Sequence, residues 1–292
     1  MKTRIFTGLL AIPLFLAFCF AGELVFLAFV TLLVGAGLVE WNRVYGGKVE
    51  ENALIPQPPL PAAHASIGRG GVNSSSLFLW VGSLLPSLAY FLVHKKPEWA
   101  SAFNVLQIAG VLMFVTFTGN AAKTGVALGK FRKSKGGIGL IGAVYVGGLL
   151  SGLVLLRSVP KYGVWALLTV VFCVWATDTF AYFVGRAFGK RRLAPTLSPK
   201  KTVEGAIGGL VGSAIVGAVV AQSQHLSPVI GVVIGVVAGV AGPLGDLWES
   251  ALKREAGIKD FGAMLPGHGG VLDRFDSLMF VAPLAYLLWA IR

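Results

Sequence analysis

The chain alternates long apolar runs with short polar stretches. The runs fall at about 5–21, 24–42, 76–93, 104–119, 138–156, 163–183, 203–221, 226–244 and 277–291. Most approach the ~20 apolar residues that carry a helix across a bilayer. Backbone surrounded by lipid must satisfy its own hydrogen bonds, which selects helices for such runs. The pattern predicts an all-α, polytopic integral membrane protein with about nine transmembrane helices. Residues 1–137 hold four spans and a Pro/Gly-rich loop near 46–75; residues 138–292 hold five spans and two polar loops, 184–202 and 245–276. The run PQPPLPAAHASIGRGG in the first loop reads as a flexible connection without a catalytic part, and His64 in it as a solvated histidine.

Composition agrees. Of the 292 residues, 55% are hydrophobic and 13% charged, about half the charge of a typical soluble domain. The net charge of +12 follows from the tendency of lysine and arginine to stay on the cytoplasmic side of a membrane, and nucleic acid is not an expected partner. With the N-terminus in the cytoplasm, only Lys95, Lys96, Arg157, Lys161 and Arg292 of the 25 basic residues fall on the opposite side. That topology leaves the C-terminus outside. Met-Lys-Thr-Arg before the first run resembles a signal peptide, but the spans behind it favour an uncleaved helix. Cys19 and Cys173 lie inside apolar runs, so neither a disulfide nor a cysteine-based metal site is expected. Gly231, Gly235 and Gly239 repeat every fourth residue, and Gly205, Gly208, Gly209 and Gly212 crowd the preceding span. Small residues at such spacing let helix backbones approach closely.

The acidic residues are uneven. Of 13, those from Asp178 onward are Asp178, Glu204, Asp246, Glu249, Glu255, Asp260, Asp273 and Asp276. A carboxylate at the centre of a membrane helix costs about 2.5–3.5 kcal/mol and usually serves function. Asp178 sits at or near the cytoplasmic end of a span. If the helix resumes after Gly242-Pro243-Leu244-Gly245, then Asp246, Glu249, Ser250 and Lys253 share one face. Asp273 and Asp276 share another face on the same argument. Such carboxylate sets suit hard cations, and two metals close together clamp the attacking and leaving oxygens of a phosphoryl displacement. Taken singly, each acid reads more readily as half of a surface ion pair with the local lysines.

The segment GRAFGKRRLAPTLSPKKTVE, residues 185–204, gathers Arg186, Lys190, Arg191, Arg192, Lys200 and Lys201. These cations suit phosphate, or they face anionic lipid as a topology signal. Ser198 and Thr202 precede a helix as natural caps, and a helix N-terminus attracts phosphate. The densest polar block is Ser250–Asp276, with Lys253, Arg254, Lys259 and Arg274 beside Asp260, Asp273 and Asp276, and Gly-His-Gly-Gly at 267–270. His268, between glycines, reads as a structural or substrate contact, and His94 and His225 as interfacial.

That block resembles the signature of the phosphatidate cytidylyltransferases, also called CDP-diacylglycerol synthases. The likeness runs from Ser250-Ala-Leu-Lys253-Arg254 through Lys259-Asp260 to Leu265-Pro-Gly-His268-Gly-Gly-Val-Leu-Asp273-Arg274-Phe-Asp276. The segments Asp178-Thr-Phe-Ala-Tyr182-Phe183, Ser198-Pro-Lys-Lys-Thr-Val-Glu204-Gly205 and Gly245-Asp246-Leu-Trp-Glu249-Ser250 agree with it. Phe180 departs from the small residue expected there. The resemblance implies that CTP and phosphatidate give CDP-diacylglycerol and pyrophosphate, with Mg²⁺ as cofactor and a second cation unidentified. It implies metal-holding by Asp246, Asp273 and Asp276, with Lys253 also catalytic. Substrate contacts would come from Asp178, Ser198, Lys200, Lys201, Thr202, Glu204, Ser250, Arg254, Lys259, His268 and Arg274. The partners it allows are CTP, phosphatidate, membrane lipids and a second copy of the chain. The expected location is the bacterial inner membrane with the site facing the cytoplasm. Two other readings remain open at this point: a CTP-dependent polyprenol kinase, which would release CDP, and a transporter using its carboxylates as ion sites.

Overall fold

A computed structural model describes residues 2–46, 74–124, 128, 135–264 and 269–291. Most of the loop read at 46–75, and His268, lie outside them. The apolar runs fold as helices: α1 (Lys2–Phe20), α2 (Glu23–Tyr45), α3 (Ser74–Lys95) and α4 (Pro97–Thr124). Next, α5 (Lys135–Gly142) passes through a π-helical turn, Ala143–Gly148, into α6 (Leu149–Arg157). Then come α7 (Gly163–Phe188), the hairpin β1 (Arg192–Ala194) and β2 (Ser198–Thr202), α8 (Val203–Ser223), α9 (Pro228–Glu255) and α10 (Leu272–Ala290). Among the described residues, 6 helical runs are long and apolar enough to cross a membrane. The protein is an all-α polytopic membrane protein, and the antiparallel hairpin is its one pair of strands among the described residues.

The run from Gly136 to Arg157 is the centre of the bundle. Nearly all of it is buried, including Tyr145, Leu149, Leu150 and Leu153. At the end of its π-turn the Gly148 carbonyl accepts from the side chain of Gln107 at 2.6 Å. Asn104 donates to the Pro283 carbonyl of α10 at 2.9 Å. Polar side chains of α4 thus bind carbonyls of two neighbouring helices in the apolar interior, where an unmet carbonyl costs several kcal/mol. One hydrophobic core takes in residues from both halves of the chain, from Phe26 and Trp41 to Trp248 and Phe280.

Helices α7, α8 and α9 pack as a layer through small residues. Gly217 on α8 and Gly231 on α9 meet backbone to backbone, and a Cβ on either would strike the other's carbonyl oxygen. Phe180, the departure from the expected small residue, is matched across the contact by Gly212, over which its ring lies. Cys19 and Cys173 are buried on α1 and α7.

The polar loops are shorter than the hydrophobic pattern indicates. Helix α9 continues through Pro243 to Glu255, and α10 begins at Leu272. The helical condition set for Asp246, Glu249, Ser250 and Lys253 is met. Helix α7 likewise runs on to Phe188, placing Asp178 inside it.

Candidate active site

The polar face of α9 supplies the first part of the site. Glu249 is fully buried, and Lys253 reaches back one turn to donate to its Oε1 at 2.9 Å. The same ammonium donates to Asp273 Oδ1 on α10, also at 2.9 Å. One cation therefore joins two buried carboxylates and ties α9 to α10. Glu249 Oε2 accepts no hydrogen bond among the described residues. Ser250 donates to Asp246 Oδ1 at 3.4 Å.

The start of α10 supplies the second part. Asp273 Oδ2 accepts from the backbone N–H groups of Gly270, at 2.8 Å, and Phe261, at 2.9 Å. Both oxygens of Asp273 are thus engaged within the protein. Asp276, one turn further on, accepts from its neighbour Ser277 N at 2.6 Å and lies in the electrostatic field of Asp246 and Lys201. Glu40 on α2 joins this assembly: its carboxylate accepts from Val271 N at 2.9 Å and Leu272 N at 3.1 Å.

The hairpin between α7 and α8 supplies the third part. Lys201 on β2 forms an ion pair with Asp246 at 2.5 Å. Thr202 is the N-cap of α8, its hydroxyl accepting from Gly205 N at 3.1 Å, the role its place before the helix indicated. Glu204 accepts from Lys190 N at 3.0 Å and Arg191 N at 3.2 Å, so it closes the turn into the hairpin. A cavity of 360 Å³ opens between hairpin and helices, lined by Asp178, Tyr182, Arg186, Lys200, Lys201 and Thr202 among others. Asp178 there feels the charges of Asp276, Asp246, Lys201 and Arg274. Arg186 donates to the Tyr182 hydroxyl at 3.1 Å.

Not every expected residue gathers here. Ser198 pairs with Ala194 at the far end of β2 and does not line the cavity. Arg254 makes a long contact, 3.5 Å, with the Leu197 carbonyl beneath the hairpin. Lys259 is exposed, and Arg274, also exposed, reaches the site through its charge on Asp178. Glu249, expected on the shared face of α9 but given no role of its own, is by its burial half of the Lys253 clamp, and Glu40 was not among the expected residues. The signal for Glu40 was present in the sequence, because it is a carboxylate within the second apolar run and carries the same cost as Asp178.

The acidic groups are oxygen donors of the type magnesium takes. Among the described residues, no three His, Cys, Asp or Glu side chains close on one point. Magnesium needs less than that from a protein, since it is commonly held by one or two carboxylates plus phosphate oxygens and water. Asp246 and Asp276 are carboxylates of this kind; Asp246 is engaged by Ser250 and Lys201, and Asp273 by Lys253 and two backbone N–H groups.

The profile of the Cytidylyltransferase family matches residues 2–292. The chain belongs to this family. Full-length relatives agree. A phosphatidate cytidylyltransferase of Bacillus subtilis (strain 168) is 36% identical over 295 residues, covering 100% of this chain and 98% of the relative. One from Pseudomonas aeruginosa is 37% identical, covering 99% of this chain and 97% of its own length, and one from Staphylococcus epidermidis is 31% identical with 99% and 98% covered. In this cytidylyltransferase-family chain the three parts of the site, although far apart in sequence, meet where the ends of α2, α7 and α9 approach the starts of α8 and α10.

Proposed function

We propose that this chain transfers the cytidylyl group of CTP to phosphatidate, forming CDP-diacylglycerol and pyrophosphate. The observation that carries this reading is the pair of clamps, Lys201–Asp246 and Lys253–Asp273, set beside a cavity lined by Arg186, Lys200 and Lys201. Cations and carboxylates fixed at one point suit a reaction between two polyanions, in which alignment and electrostatic stabilisation dominate.

A phosphatidate phosphate oxygen attacks the α-phosphorus of CTP, the bond to the β-phosphate oxygen breaks, and pyrophosphate leaves with that electron pair. Arg186, Lys200 and Lys201 attract the phosphates into the cavity and offset their mutual repulsion. Thr202 and Glu204 hold the hairpin that carries the lysines. Lys253 keeps α9 and α10 in register, so that Asp246 and Asp276 face the same volume. These two residues would hold Mg²⁺, which when bound supplies positive charge to the phosphate oxygens.

The chain spans the membrane about nine times in this reading, with the N-terminus in the cytoplasm and the C-terminus outside. The bacterial sources of its relatives support the inner membrane. The polar ends of α2, α7, α9 and α10 then lie on the cytoplasmic side, where CTP is found. The test is an assay with CTP and phosphatidate in detergent micelles, with and without Mg²⁺. Magnesium-dependent release of pyrophosphate and formation of CDP-diacylglycerol are expected. Release of CDP with a phosphorylated alcohol would instead mark a lipid kinase and overturn the reading.

A further inference from the structure

Glu40 has no part in the chemistry above, yet its surroundings are unusual for a carboxylate. It is 6% exposed, on a stretch of α2 where Leu38 and Trp41 are also buried. No lysine or arginine pairs with it among the described residues. Both its oxygens are instead taken by the N–H groups of Val271 and Leu272. We infer that Glu40 is a positioning residue: its carboxylate fixes the start of α10 and so sets where Asp273 and Asp276 stand relative to Asp246 and Lys253.

The first N–H groups of a helix have no carbonyl within the helix to receive them. A capping side chain commonly does so from the N-cap position, but here that position is Val271, which has no polar side chain. Glu40 supplies the cap from 231 residues away in sequence. The positive end of the α10 dipole favours a negative charge at that place, which offsets burial of the carboxylate.

The loop before α10 is shaped around the same group. A Cβ on Gly262 or Gly270 would land on the carboxyl oxygens of Glu40. Phe261 stacks near Trp41 at 6.4 Å between ring centroids, with an interplanar angle of 14°. Its N–H is bound by Asp273. Glu40 from α2 and Asp273 from α10 therefore bind between them the N–H groups of Phe261, Gly270, Val271 and Leu272. Helix geometry makes this consequential, because a slip of α10 by one residue turns every side chain on it by about 100°. Asp276 would leave the field of Asp246. A misplacement of about 1 Å at a reacting centre can cost roughly 100-fold in rate.

The inference rests on the proposed cytidylyl transfer, and its test separates the two. In Glu40→Gln the side chain keeps its shape, but one acceptor oxygen becomes an NH₂ that faces an N–H. With CTP and phosphatidate in micelles, we expect kcat to fall by about 10–100-fold. KM for CTP should stay within about threefold and the unfolding midpoint in mixed micelles near that of the parent. A kcat within twofold of the parent would overturn the inference. So would a loss of kcat that merely follows a lower unfolding midpoint, since that marks a structural role. The second measurement is hydrogen–deuterium exchange of the parent protein across residues 269–275. Protection of the Val271 and Leu272 amides is expected, and exchange at the rate of a free peptide would overturn the inference even if E40Q does not fold. This arm needs no activity, so it holds whichever substrates the enzyme takes.

Discussion

Replacing Lys253 by Met removes the one cation between Glu249 and Asp273. Its ammonium lies 2.9 Å from an oxygen of each. At an effective dielectric of ~20, each attraction has a gross value of roughly 6 kcal/mol. Desolvation of the three charges cancels much of that gain, so the net worth of the clamp is far smaller. The cost of breaking it is larger than its net worth, because two carboxylates remain buried beside each other, with side-chain exposures of 0% and 2%. Deleting one partner of a buried ion pair typically costs about 3–5 kcal/mol, and the 16% exposure of Lys253 puts this case near the lower bound. The measurement is SDS-driven unfolding in mixed micelles, following helical circular dichroism. A double-mutant cycle makes it specific. Lys253→Met combined with Glu249→Gln should recover about 1–3 kcal/mol of the loss, since one of the two stranded charges is gone and Asp273 keeps its two N–H donors. If Lys253→Met unfolds within about 1 kcal/mol of the parent, or if the second substitution adds its full cost to the first, the buried-clamp account is wrong.

Asp246→Asn is expected to lower kcat by at least about 100-fold while leaving the unfolding midpoint nearly unchanged; full magnesium-dependent turnover by this variant would remove Asp246 from the reacting centre. Thr202→Ala deletes the cap of α8 and should cost about 1 kcal/mol in the same unfolding assay, with Thr202→Ser restoring most of it. Gly217→Ala forces a methyl against the Gly231 carbonyl and should destabilise by about 1–3 kcal/mol, whereas Gly35→Ala, which meets open space, should be close to neutral.

The positions of the helices were legible because apolar run length is a strong signal in a membrane chain. Where helices end was less legible. Pro243 and its flanking glycines look like a break, yet α9 passes through them, because the helix is held on both sides by packing against α8 and α10. The hairpin at 192–202 was hidden in a basic segment whose composition says nothing about strand pairing. Within the site, the spacing of Asp246, Glu249, Ser250 and Lys253 fixed a shared face once the helix was granted. The commitment of Asp273 to Lys253 and to two N–H groups was not legible, since it depends on where Phe261 and Gly270 come to lie. Glu40 illustrates the limit most directly. Its partners are backbone N–H groups, which every residue but proline possesses, so no residue type in the sequence announces the bond.

The cap on α10 has a consequence for biosynthesis. Glu40 leaves the ribosome 231 residues before the amide it must bind. At about 5–20 residues per second, that wait lasts roughly 10–50 s. Throughout it the nascent chain carries a bare acid on an inserted helix, and no catalytic centre exists until the last helix arrives to close around it. Translation must run almost to completion before the enzyme can act.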